Sequence, residues 1–96
     1  MKTDEIKKQF ATICEDFLFN AELDEKTFDR QVDDNLDHEL AKIATPWDEV
    51  SDEKKEDATE IADYEATMDS FGIHVKLYSV YDEGYHWFVF RHILNI

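Results

Sequence analysis

IHVKLYSVYDEGYHWFVF, residues 73–90, alternates Ile73, Val75 and Leu77 with His74, Lys76 and Tyr78, breaks at Asp82-Glu83-Gly84 and continues as a second run, His86-Trp87-Phe88-Val89-Phe90. Period two is the repeat of a pleated strand, and a glycine-containing break between two such runs is the signature of an antiparallel hairpin. A loop over residues 82–85 pairs Tyr81 with His86. That register puts Ile73, Val75, Leu77, Phe88, Phe90, Leu94 and Ile96 on one face and Lys76, Tyr78, Val80, Trp87, Val89, Arg91 and Ile93 on the other. The second face is too apolar to stand in water, so it calls for a helix, a second copy of the chain or a partner.

Upstream of Ile73 the apolar spacing changes to three and four, which is the repeat of a helix. Ile6, Phe10, Ile13, Phe17 and Leu18 predict a helix from about Thr3 to Asn20, with Thr3 as N-cap and Asp4 and Glu5 favourably placed in its first turn. Phe28, Val32, Leu36, Leu40 and Ile43 predict a second, from about Asp24 to Ala44, ended by Thr45-Pro46 because proline disfavours the helical conformation in the residue before it. A third, capped by Ser51, carries Ala58, Ile61, Ala62, Tyr64, Met68 and Phe71 and closes at Gly72. Because a lone hairpin is marginal, the helices are expected to cover one of its faces. The expectation is therefore one α+β domain over residues 1–96, three N-terminal helices packed on a C-terminal antiparallel β-hairpin.

Charge divides the chain at the same place. Residues 1–72 hold 22 carboxylates against eight lysines and arginines, a net of −14, whereas residues 73–96 hold two of each and six of the 13 aromatics. Such a surplus of negative charge disfavours direct binding to nucleic acid or anionic lipid and favours a basic partner. One cysteine cannot form an internal bridge, the start Met1-Lys2-Thr3-Asp4-Glu5 lacks the apolar run of a signal peptide, and no stretch has the roughly 18 apolar residues of a membrane helix. A cytoplasmic setting follows as the expectation.

The carboxylates come in rows. Asp29, Asp33 and Asp37 recur at steps of four on the second predicted helix, with Glu22 and Glu25 near the same line, and four residues of α-helix rise about 6 Å. Asp48, Glu49, Asp52, Glu53, Glu56, Asp57, Glu60 and Asp63 crowd the third, against Lys54 and Lys55 alone. Like charges four apart cost a helix a few tenths of a kcal/mol per pair, so the rows call for a compensating role. A nucleic-acid strand carries a phosphate about every 3.4 Å along its axis, and ordered carboxylates can imitate that pattern in a basic groove. In size and charge the chain is similar to small acidic phage proteins that imitate DNA, including inhibitors of CRISPR and restriction systems, and to immunity proteins that block nuclease toxins. The plain alternative is a solvated face that serves solubility.

Motifs for chemistry are absent. Asp33, Asn35 and Asp37 match the opening of a calcium loop, but His38 stands where glycine is required and Ala44 where the bidentate carboxylate belongs. The register sets His74 on the face opposite His86 and His92, which argues against a metal site. Cys14 lies among Ile13, Glu15 and Asp16, which raise its pKa and disfavour a nucleophile. With only Gly72 and Gly84, no phosphate-binding glycine loop can form. No enzyme, cofactor or metal is expected.

The expected function is a non-enzymatic inhibitor that blocks the basic groove of a nucleic-acid-binding protein, with Asp29, Asp33, Asp37, Glu53, Glu56, Asp57 and Glu60 as phosphate surrogates. Two alternatives stand beside it. An immunity protein or antitoxin would bind its toxin through aromatic anchors such as Trp47, Tyr85 or Trp87. A structural interaction module would form a homodimer through the second hairpin face, its acidity serving only solubility.

Overall fold

A computed structural model describes residues 2–20, 23–68 and 71–93 of the chain. Glu22 of the acidic row and Leu94 and Ile96 of the hairpin face lie outside the described residues. Helix α1 runs over Lys2–Asn20, so Thr3 lies inside its first turn instead of capping it, and Asp4 and Glu5 meet the positive end of the dipole as expected. Phe10, Cys14 and Phe17 are buried along one stripe, with Ile6, Ile13 and Leu18 packed beside them.

The second helix, α2 (residues 25–40), is continuous but not uniform. It opens with a 3₁₀ turn over Glu25–Thr27 capped by the Asp24 side chain, which accepts from the Lys26 N–H at 3.0 Å. An α-turn over Phe28–Gln31, a π-turn over Val32–Leu36 and an α-turn over Asp37–Leu40 follow. The stripe explains the π-turn. Phe28, Val32, Leu36 and Leu40 are spaced by four, and each step overshoots a 3.6-residue turn by about 0.4 residue. Over three steps the drift is about one residue, and a wider i→i+5 turn absorbs about that much. Phe28, Leu36 and Leu40 are accordingly all buried.

The third predicted helix is overturned after its first turn and a half. Ser51 caps as expected, accepting from the Lys54 N–H at 3.3 Å, but α3 is only Asp52–Glu56. Strand β2 (Thr59–Met68) follows. With β1 (Thr45–Pro46), β3 (Phe71–Asp82) and β4 (Tyr85–His92), it forms a four-stranded sheet in the order β1-β4-β3-β2. A sheet therefore replaces the expected hairpin. The α+β class stands, with an N-terminal helical region and a C-terminal sheet. Alternation of Ala62, Tyr64 and Ala66 with Asp63, Glu65 and Thr67 suits a strand as well as the Ile61-Ala62-Tyr64 spacing suits a helix. Pairing with β3 satisfies the strand's backbone and settles the contest. A bulge between Glu60 and Ala62 lets consecutive Ile61 and Ala62 both pack on the core.

Gly72 is likewise reassigned. It is no helix terminus but a strand residue opposite Thr67, where an added Cβ would stand 2.4 Å from the Ala66 carbonyl oxygen and 2.8 Å from the Thr67 Cα. The β3–β4 register agrees with the reading from sequence: Tyr81 pairs with His86, and pairing extends one step further, to Asp82 and Tyr85. Glu83 and Gly84 make the turn at φ of 48° and 88°, the positive values that a tight type I′ connection requires.

The two faces of the sheet meet different things. Ile73, Val75, Leu77, Phe88 and Phe90 form the inner face and pack under α1 and α2. The outer face, left open in the sequence reading to a helix, a second copy or a partner, is covered by the chain itself. Residues 47–58 lie across it, with Val50 buried against Val80 and Val89, and Trp47 and Ala58 packed beside Tyr78 and Trp87. No helix among the described residues is long and apolar enough to cross a membrane.

Candidate acidic interaction surface

Residues 48–65 carry nine carboxylates and two lysines, and the fold lays the first part of this stretch, through Ala58, across the outer face of the sheet. Trp47 anchors it. Its ring packs on Tyr78 with centroids 5.0 Å apart, under the Arg91 guanidinium at 4.5 Å and the Lys55 ammonium at 5.4 Å. Buried Val50 and an ion pair from Lys54 Nζ to Asp82 at 2.6 Å hold the segment further along. That carboxylate hydrogen-bonds Lys54 and raises its pKa. Asp48, Glu49, Asp52, Glu53, Glu56 and Asp57 are left exposed. Of these, Asp52 lies 3.8 Å from Lys55 Nζ, and Glu53 adds to the negative field that raises Lys54.

Strand β2 extends the acidity along the same face, with one difference. Glu60 accepts from Lys76 Nζ at 2.7 Å, which pushes the lysine's pKa up, and Asp63 meets His74 Nε2 at 2.7 Å, with Glu65 3.7 Å from Nδ1 of the same ring. Alternation places Glu60, Asp63 and Glu65 on the side of the sheet that bears His74, Lys76 and Tyr78. These carboxylates remain 44%, 44% and 57% exposed.

The row on α2 divides. Asp29 and Asp33 are exposed, as the spacing predicts. Asp37 turns inward to His92, 2.5 Å from its Nε2 across the junction between α2 and β4. The row proposed for a third helix does not exist as a helical row. Glu53, Glu56 and Asp57 belong to the short α3 and the turn after it, and Glu60 to β2. Asp29 and Asp33 project from the helical layer that packs on the inner face, whereas the other group lies on the outer face. Six of the seven candidate positions thus fall in two groups, and Asp37 belongs to neither.

The aromatic candidates separate as well. Trp47 is engaged inside the chain, and Trp87 is half-buried against the outer-face cluster. Tyr85 is 77% exposed beside the β3–β4 turn. Tyr81, which the sequence reading did not single out, is 70% exposed there with its ring stacked on His86 at 4.2 Å. Glu65, outside the row expected from sequence, joins Asp63 on the outer face because β2 is a strand.

Burial and the neighbouring Glu15 push the Cys14 thiol up to about 12, so it holds its proton at neutral pH. A cleft of about 370 Å³ beside the acidic segment is lined by Asp37 and Asp48 but also by Lys55, Arg91 and His92, so its charges nearly balance. Among the described residues, no group of three or more His, Cys, Asp or Glu side chains is placed to hold a metal ion. Comparison of the chain with protein-family models, with curated proteins and with solved structures returns no match.

Proposed function

We propose that the protein is a non-enzymatic inhibitor whose acidic outer surface occupies the basic, nucleic-acid-binding groove of a partner protein. The observation that carries this reading is the fixed run of exposed carboxylates at 48–57, held by Trp47 and Val50 and continued along β2. A flexible polyanion would attract every cation alike, whereas an anchored array has a shape that a groove can match. Glu53, Glu56 and Asp57 are its phosphate surrogates, joined by Asp29 and Asp33 if the groove wraps onto the helical side. Asp37 and Glu60 contribute less, since each is bonded within the chain.

The experiment is affinity capture from a bacterial lysate with elution by rising salt, followed by competition with duplex DNA on the captured protein. Nucleic-acid enzymes eluting at moderate salt and displaced by DNA are expected, because contacts between exposed charges weaken as salt screens them. Reversal of Glu53, Glu56 and Asp57 to lysine should abolish capture, while Asp37→Asn leaves it near wild type. Capture that ignores both salt and the triple reversal refutes the proposal.

A second reading rests on the exposed pair Tyr81 and Tyr85 at the β3–β4 turn. Tyrosines presented this way serve as interface anchors, as in an immunity protein with one cognate toxin. Here Tyr85→Ala should weaken capture more than the triple reversal does.

A further inference from the structure

Strand β2 ends the sheet on one side and is ten residues long, while β1 on the other side is only two. Its inner edge pairs with β3. Among the described residues, the outward-facing peptide groups of β2 have no backbone or side-chain hydrogen-bond partner. Beyond the bulge the register is regular over the seven residues from Ala62 to Met68. Such an edge is a template for another strand.

The flanking side chains select what can be added. On the outer face the edge carries Asp63 and Glu65, with Glu60 at its start. On the inner face it carries Ala62, Tyr64 and Ala66, beside α1. A second copy of this chain would bring the same carboxylates alongside, and like charges on neighbouring strands are destabilising. A strand with lysine or arginine at alternate positions is stabilised instead, since a carboxylate already holding one donor keeps lone pairs for a second. The existing contacts of Asp63 with His74 and of Glu60 with Lys76 use only part of that capacity.

We infer that β2 is a docking edge for an extended basic segment of a partner protein, about seven residues that alternate cationic with apolar side chains and add to the sheet as a fifth strand. This deepens the acidic-surface reading and rests on it. Backbone hydrogen bonds supply the affinity, and the two faces of β2 supply the selectivity. The inference also accounts for a long edge guarded by carboxylates where a short or proline-blocked one would be the safer design.

The test uses the intact protein and a seven-residue peptide alternating lysine and valine, with a second peptide of the same sequence and charge methylated at every backbone amide. Calorimetric titration at two salt concentrations and amide hydrogen exchange on the complex are read together. Expected are binding of the first peptide, slowed exchange confined to β2 amides, and at least tenfold weaker binding of the methylated peptide. Equal binding of both peptides, or protection over residues 48–57 instead, overturns strand addition while leaving the acidic-surface reading intact. Tight binding of the first peptide alone, unaffected by salt, removes the charge selection, and with it both the acidic-surface reading and the basic occupant assigned to β2. No binding of either, or a concentration-dependent dimer protected at β2 without peptide, overturns the inference.

Discussion

Replacing Trp47 with alanine removes the clamp that holds the acidic segment on the sheet, and the size of the loss can be worked from its contacts. A fully buried tryptophan costs about 3–5 kcal/mol when truncated to alanine. Trp47 is half-buried, which brings the packing loss to roughly half of that range. Its tilted contact with Tyr78 at 5.0 Å and its two cation contacts are worth about 0.5–1 kcal/mol each at a site this open, and they overlap with the packing loss. The expected destabilisation is about 2–3 kcal/mol, a large share of the roughly 5–15 kcal/mol that holds a small domain together. Urea unfolding followed by far-ultraviolet circular dichroism measures it, and hydrogen exchange at the Val50 and Lys55 amides reports undocking of the segment. Trp47→Phe should recover part of both. A Trp47→Ala protein within about 0.5 kcal/mol of wild type, with exchange at 50 and 55 unchanged, would refute the claim that this ring anchors the surface.

Two further predictions concern the sheet and the core. Gly72→Ala pushes a methyl against the Ala66 carbonyl oxygen at 2.4 Å, so β2 and β3 must part locally; a loss of about 2 kcal/mol or more is expected, with faster amide exchange at 65–67. Cys14 gives stability a pH dependence whose sign follows from burial. The unfolded thiol releases its proton near its ordinary 9.0 and the folded one near 12, so the folded state binds more protons between these values. Unfolding free energy therefore falls as pH rises from about 9 to 12, by up to about 1.4 kcal/mol per unit. Lys54 and Lys76, raised by their carboxylate partners, and Tyr64, raised mainly by burial, act in the same direction above about pH 10. Cys14→Ala should flatten the slope between pH 9 and 10 whatever its cost at neutral pH, and a slope unchanged there would contradict the burial argument.

The β3–β4 hairpin, its register and the two long helices were legible because their signals are local. Alternation from Ile73 to Tyr78, a glycine at the turn and apolar stripes in α1 and α2 each express the geometry of one element. Residues 59–68 were not legible in that way, because their apolar spacing satisfies both periods and Glu and Ala suit a helix. What makes them a strand is the free side of β3, together with a glycine at 72 that admits the close approach. The π-turn in α2 was in principle readable from a stripe drifting at steps of four.

Acidity, its confinement to residues 1–72 and the single cysteine are properties of composition, and no fold could alter them. Which carboxylates face a partner is a property of packing. Asp33 and Asp37 are the same residue type four apart on one helix, yet one is exposed and the other is bonded to His92, 55 residues away. The same distinction separates Trp47, drawn under Arg91, from Tyr85, left in solvent. Local periodicity says which side of an element a residue occupies, but only the assembled layers say what stands opposite it. Charge and exposure at a surface depend on that neighbour.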